Sequence, residues 1–113
     1  MTKLKTLPTM RDRKRYIFFR IHCKRILEYT DMRNAIWNSL LGFLGQEQLA
    51  LAGVEIIKNM YKKDSGVIRC NHLYVDKVKV SLALIHQIGD ERIIFQTLRV
   101  SGTIKAGKKK LAI

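Results

Sequence analysis

Two groups of cationic side chains, near the two ends of the sequence, are the residues whose types and spacing point most directly to a chemistry. Their members are Arg11, Arg13, Lys14, Arg15, Lys105, Lys108, Lys109 and Lys110. Lysine and arginine neutralise phosphate groups, and this neutralisation supplies much of the affinity of proteins for nucleic acids. A single charged run is commonly only a solvated surface. The two groups together predict an RNA-binding surface if the fold places them side by side.

Aromatic residues beside the first cationic group suggest a second kind of contact. The residues at 17, 19, 21 and 23 are apolar and alternate with other types, which predicts a strand with one buried face. Tyr16 and Phe18 lie on its opposite face, and Phe95 joins them if its neighbours Ile94 and Leu98 point to the core. Aromatic residues on an open sheet either stack RNA bases or are covered by a protein.

The residues of the third predicted strand favour coverage by a protein over stacking of RNA bases. An RNA recognition motif carries aromatic residues on its third strand, whereas residues 67–71 of this chain read Val-Ile-Arg-Cys-Asn. We therefore expect Tyr16, Phe18 and Phe95 to contact a partner protein or a second copy of the chain.

No residue pattern predicts a metal site or catalysis by the protein. His22 and Cys23 are neighbours on a strand and point to opposite faces, so they cannot bind one tetrahedral ion together with Cys70 or His72. The acidic residues are scattered, and the sequence has neither a Gly-rich phosphate loop nor a nucleophile elbow. We expect no catalytic residue, no metal ligand and no cofactor in the protein.

The elements that must position these residues follow from hydrophobic periodicity and turn signals. A helix begins near Thr30 and stops at Gly45, and a short second helical piece ends at Gly53. Three further elements are strands over 54–62, 67–71 and 91–100, and a second helix spans 73–88. The order strand, helix, strand, strand, helix, strand predicts an α+β, ferredoxin-like (RRM-like) sandwich. Its four-stranded antiparallel sheet would have the first and third strands in the centre and helices on one face.

This topology divides the chain and places the cationic groups. Residues 1–14 are predicted to be a basic extended arm, residues 15–105 a single domain, and residues 106–113 a basic flexible tail. The first and fourth strands are adjacent and antiparallel, so the start of one lies beside the end of the other. Both cationic groups should therefore meet at one edge.

Composition narrows the class of partner. The 113 residues contain 22 Lys and Arg against 9 Asp and Glu, which gives a net charge of +13 and favours an anionic ligand. An apolar fraction of 47% is enough for one packed domain. No apolar run reaches the roughly 18–20 residues of a membrane span, and the N-terminal residues do not resemble a signal peptide. Two cysteines without a disulfide pattern favour a cytoplasmic protein.

Four stretches resemble the archaeal ribonuclease P protein component 2 family, which is related to a small protein subunit of eukaryotic RNase P and RNase MRP. They are Leu7–Tyr16, with Leu-Pro followed by Lys-Arg-Tyr; Ala35–Leu41 in the first helix; Gly66–Cys70, with Gly-hydrophobic-Arg-Cys; and Leu98–Lys105, with Ser-Gly-Thr-Ile-basic. Each motif is weakly specific alone. Four in the same order and at matching spacing make a strong resemblance.

The resemblance implies a protein subunit of ribonuclease P, the enzyme that removes the 5′ leader of precursor tRNA. In such a complex the RNA holds the active site and its Mg²⁺ ions, and the protein supports the RNA fold together with protein component 3 and other subunits. The resemblance further implies a possible homodimer within a heterotetramer. From composition alone, another basic RNA-binding protein, such as a ribosomal or assembly module, fits equally well. A small enzyme or ligand sensor on this fold would need an acidic or Gly-rich pocket, which the sequence lacks.

Overall fold

A strand of nine residues, β1, lies at the centre of the sheet, as its alternating apolar pattern predicts. The structure is a computed structural model that describes residues 13–62 and 64–111. Its strands are β1 Lys14–His22, β2 Glu55–Ile56, β3 Ser65–Asn71, β4 Gln87–Ile88, β5 Glu91–Arg92 and β6 Ile94–Ser101. Its α-helices are α1 Tyr29–Ala52, α2 Val75–Ala83 and α3 Ile104–Leu111, and short 3₁₀ helices cover Lys58–Met60 and His72–Tyr74.

The main sheet confirms the predicted topology. Its strand order is β2-β3-β1-β6, and all of its pairs are antiparallel. The second strand is much shorter than expected, because the chain leaves the sheet after Ile56 and forms the first 3₁₀ helix. The predicted second helix likewise ends at Ala83, and a small β4–β5 hairpin follows it.

The core fills the space between one face of this sheet and the helices α1 and α2. Ile17, Phe19 and Ile21 of β1 are each at most 1% exposed. They face a set of fully buried helical side chains, which are Met32, Ile36 and Leu40 of α1 and Val78 and Leu82 of α2. These helical residues recur at spacings of four, so each helix buries one continuous stripe.

The helix α1 is kinked at the position where the sequence predicts a stop. Gly45 has φ 82° and ψ 166°, which lie outside the helical region and are readily adopted only by glycine. The helix then resumes and ends at Gly53, whose φ of 59° is a left-handed C-terminal cap. The predicted division of this segment into two helical pieces is therefore confirmed.

The C-terminal segment differs from the prediction of a flexible tail beyond residue 105. Residues 104–111 form α3, which packs against β6 and β1. Thr103 caps this helix, because its Oγ accepts a hydrogen bond from the backbone N–H of Ala106 at 3.1 Å. The helix covers part of the sheet face opposite to α1 and α2, so helices lie on both faces of the sheet and not on one.

A β-bulge explains why one aromatic residue points away from the predicted side. Phe18 pairs with Arg99 but Phe19 pairs with Thr97, so Leu98 is an extra residue on β6. An extra residue reverses the alternation of side chains along the rest of the strand. Phe95 therefore points into the core, where its ring centroid lies 5.4 Å from that of Phe19. The expectation that Phe95 shares a face with Phe18 is wrong.

Candidate nucleic-acid interface

The start of β1 and the end of β6 meet at one edge of the sheet. Tyr16 pairs with Ser101, so Arg15 lies beside Gly102. The Nη1 atom of Arg15 is 4.0 Å from the position that a Cβ atom would occupy at Gly102. Lys105 follows on the first turn of α3 and is exposed. The structure thus brings together the start of β1 and the residues after β6, as the sequence predicts.

The entry of the chain into β1 is fixed by backbone contacts. The carbonyl oxygen of Arg13 accepts a hydrogen bond of 2.6 Å from the backbone N–H of His72. The side chain of Arg13 is exposed, whereas Arg15 is half-buried and donates from Nη1 to the carbonyl oxygen of Lys14 at 3.0 Å. These contacts hold two guanidinium groups at the same edge, where they can reach phosphate oxygens.

Lys14 has a second role that the sequence did not indicate. Its Nζ atom is 3.0 Å from the position of a Cβ atom at Gly53, the C-cap of α1. The last turn of α1 has no basic residue of its own. A cation at this end of a helix is stabilised by the helix dipole and by the unpaired carbonyl groups. Lys14 therefore stabilises α1, in addition to adding charge to the edge.

The other predicted cationic residues are only partly described. Lys108, Lys109 and Lys110 belong to α3, but their side chains lie outside the described part of the structure. Arg11 lies outside the described residues altogether. The binding of RNA by the two cationic groups stays a prediction, and the structure contributes the common location of Arg13, Arg15 and Lys105.

The sheet face opposite the core is largely covered by the chain itself. Phe18 is 3% exposed, because α3 crosses it at Gly107. A Cβ atom at Gly107 would lie 2.0 Å from Cε1 of Phe18, so only a glycine allows this approach. The prediction of Phe18 as an uncovered contact for a partner is therefore wrong. Tyr16, which is half-buried, is the only one of the three predicted aromatic residues that keeps appreciable exposure.

Two arginine residues on this covered face were not singled out from the sequence as binding residues. Arg99 lies opposite Phe18, and Arg69 lies opposite Tyr16. Arg69 makes a salt bridge to Glu55 through Nη2. The Nε atoms of both arginines are buried, and within residues 13–62 and 64–111 neither has a hydrogen-bond acceptor. The sequence signal for this arrangement was Arg69, a charged residue in the middle of an otherwise apolar central strand.

Among the described residues, burial raises the pKa of two titratable groups, Tyr61 and Cys70. No group of three or more His, Cys, Asp or Glu side chains there could hold a metal ion. Burial raises the pKa of the Cys70 thiol to about 11, so this cysteine is an inert core residue. Burial also raises the pKa of Tyr61, whose hydroxyl donates to the carbonyl oxygen of Leu27 at 2.8 Å. None of the described helices is long and apolar enough to cross a membrane.

Exposed apolar side chains are concentrated on the helical layer. Leu41 and Phe43, just before the kink of α1, are 43% and 46% exposed. Val80 of α2 and Leu84 at its C-cap are 45% and 56% exposed. A surface of this kind is typical of contacts with other proteins.

Comparison with known proteins yields one family and a consistent set of relatives. A model described as the Rpp14/Pop5 family matches residues 15–112. Ribonuclease P protein component 2 of Pyrococcus abyssi is 41% identical over 109 residues, which are 96% of this chain and 92% of that protein. The protein of the same name from Pyrococcus horikoshii is 39% identical over 97% of this chain and 92% of its own length. That from Methanobrevibacter smithii is 34% identical over 95% and 96%.

A solved structure shares the fold. A chain in the cryo-EM structure of yeast ribonuclease MRP superposes with a TM-score of 0.66, and the match covers 90% of each chain. The sequence identity is 14%, so this similarity concerns the fold alone.

Proposed function

This chain belongs to the Rpp14/Pop5 family, and from that membership we propose that it is a protein subunit of ribonuclease P. Its role is to bind and support the RNA that removes the 5′ leader of precursor tRNA. The observation that carries the proposal is the match to ribonuclease P protein component 2 at 34–41% identity over nearly the whole chain.

The described surface supports a contact with RNA. Arg13, Arg15 and Lys105 lie at one edge of a chain whose net charge is +13. Each phosphate that such a cluster neutralises releases counterions, which favours binding at low salt. The covalent chemistry, with its Mg²⁺ ions, is assigned to the RNA. This chain needs no catalytic side chain for the proposed role.

Protein partners are proposed to contact the helical layer. Phe18 and Phe95 are buried by the chain's own residues, whereas Phe43 and Val80 are exposed. Protein component 3, other ribonuclease P proteins or a second copy within a heterotetramer are the candidates. The free cysteines Cys23 and Cys70 fit the reducing environment of the cytoplasm, where we place the assembly.

Reconstitution tests the proposal. The RNA subunit is combined with the other ribonuclease P proteins of the same organism, with and without this chain, at limiting Mg²⁺. Cleavage of precursor tRNA should be faster with the chain, because its cations lower the repulsion within the folded RNA. Equal rates in the two reactions would contradict the proposal. Recovery of ribosomal RNA but no ribonuclease P RNA with the tagged chain would favour a different ribonucleoprotein.

A further inference from the structure

A pocket opens on the covered face of the sheet, away from the helices α1 and α2. Its volume is about 380 Å³, within the range of pockets that hold small ligands. Phe18 and Val67, which pair across β1 and β3, line one side of it. Asn59 and Met60 of the first 3₁₀ helix line another, and Lys62 completes it.

We propose that this pocket receives one unpaired base of the bound RNA. The faces of a base are flat and apolar, and the half-buried Met60 presents an apolar side chain to them, while the almost fully buried Phe18 and Val67 also line the pocket. The edge of a base carries donors and acceptors, which the amide of Asn59 can satisfy. Lys62 is exposed and supplies a cation for the adjoining phosphate.

The surroundings of the pocket favour RNA over a protein side chain. Phe18 is three residues from Arg15 on β1, a distance of about 10 Å at the rise of a strand. Two residues of the lining, Asn59 and Lys62, carry donor groups and are exposed. A nucleotide carries acceptors on its base and its phosphate, whereas an apolar side chain carries none. The lining thus matches a nucleotide better than an apolar side chain.

The ring of Phe18 also connects the pocket to α3. The ring lies against Gly107, and Phe18 is also one of the residues that line the pocket. A base in the pocket would therefore bear on the same residue that holds α3 to the sheet. Binding at the pocket and the position of α3 are coupled through a single side chain.

The inference rests on the proposed function, and a pocket-filling variant tests it separately. Val67→Phe adds an aromatic ring at a position that lines the pocket, and Ile94→Phe adds the same ring at an exposed position of β6 that does not line it. Binding of full-length protein to ribonuclease P RNA is measured between low and moderate salt. Val67→Phe should weaken binding by about tenfold, near the lower end of what loss of one stacked base causes. Its salt dependence should equal that of wild type, because no phosphate contact is removed. Ile94→Phe should bind as wild type does.

Ultraviolet cross-linking gives a second readout. A cross-link between RNA and the peptide that contains Met60 is expected with wild type and with Ile94→Phe, and it should disappear with Val67→Phe. If Val67→Phe does not fold, the double variant Asn59→Ala, Met60→Ala replaces it, with the same expectations. Wild-type affinity and an unchanged cross-link in the folded pocket variant would overturn the inference. Loss of a protein partner with intact RNA affinity would overturn it as well. Failure of the wild-type chain to bind the RNA would instead refute the proposed function.

Discussion

Replacing Gly107 with alanine should destabilise the domain, although the same change in most helices is stabilising. The added Cβ atom would lie 2.0 Å from Cε1 and 2.4 Å from Cζ of Phe18. Carbon atoms in contact are normally about 3.5–4.0 Å apart, so α3 or the ring must move by about 1.5 Å. The ring has little room to retreat, because Phe18 lies on a central strand and is 3% exposed.

The magnitude follows from three opposing effects. Forcing an extra methyl group into a packed site costs about 1–3 kcal/mol. Alanine in place of glycine within a helix returns about 1 kcal/mol. The loss has a ceiling, since α3 can leave the sheet and expose Phe18, whose burial contributes about 1.5–3 kcal/mol. We therefore expect Gly107→Ala to lower the free energy of unfolding by up to about 2 kcal/mol.

Urea unfolding with a matched glycine measures this effect. Gly42 lies within α1, and a Cβ atom there would meet nothing within 4 Å. Gly42→Ala should thus raise the free energy of unfolding by about 1 kcal/mol. In a Phe18→Ala background the penalty of Gly107→Ala should shrink, because the clashing atoms are gone. If Gly107→Ala stabilises the chain as much as Gly42→Ala does, α3 does not rest on Phe18 and the covered face is wrongly assigned.

Three other changes have definite expected outcomes. Replacing Arg13, Arg15 and Lys105 together with glutamine should flatten the dependence of the RNA-binding constant on salt. The slope of log K against the logarithm of the salt concentration should fall by about 0.7–0.9 for each phosphate contact removed. The stability of the fold should fall as pH rises from about 8.5 to 11, because the unfolded chain then releases a Cys70 proton that the folded chain retains. Urea unfolding at several pH values measures this, and Cys70→Ala should reduce the slope. Phe43→Glu should weaken association with protein partners in co-purification and leave RNA affinity nearly unchanged.

Each of these changes has a control elsewhere in the chain. Glutamine at Lys24, Arg33 and Lys79 removes the same charge away from the cationic edge, and an equal loss of salt slope there would show that the edge is not special. Val78→Ala, which truncates a buried residue that has no titratable group, should keep the pH dependence of the wild type. Ile94→Glu alters an exposed apolar residue on β6, and equal loss of partner binding would speak against the helical layer.

Local sequence patterns correctly predicted those parts of the fold that depend on residues close together in the chain. The alternation around Ile17, Phe19 and Ile21 determines a strand, because only one face can be buried. The stop at Gly45 was predictable for the same kind of reason, since the conformation there suits glycine. The meeting of the two cationic groups followed from topology, which the order of elements already implies.

The wrong predictions concern parts of the fold that depend on contacts between residues far apart in the chain. The bulge at Leu98 changes which face Phe95 occupies, and nothing in the alternation of β6 marks an extra residue. The segment 104–111 contains a glycine and two like charges four residues apart, Lys105 and Lys109, which are unfavourable for a helix in isolation. It forms α3 because it packs against β1 and β6. The pocket near Met60 depends on β2, which ends after two residues. The sequence pattern predicts a longer strand, over 54–62.

The pairing of Tyr16 with Ser101 also determines how the domain responds to a pulling force. The chain enters β1 two residues before Tyr16 and leaves β6 at Ser101, so tension between these points, once α3 has left the sheet, acts on one end of the β1–β6 ladder. The hydrogen bonds of such a ladder run across the strands, and they are loaded one after another and not all at once. The strands should therefore unzip at low force, beginning at Tyr16. An RNA that binds both cationic groups would tie the ladder together at the point where unzipping starts.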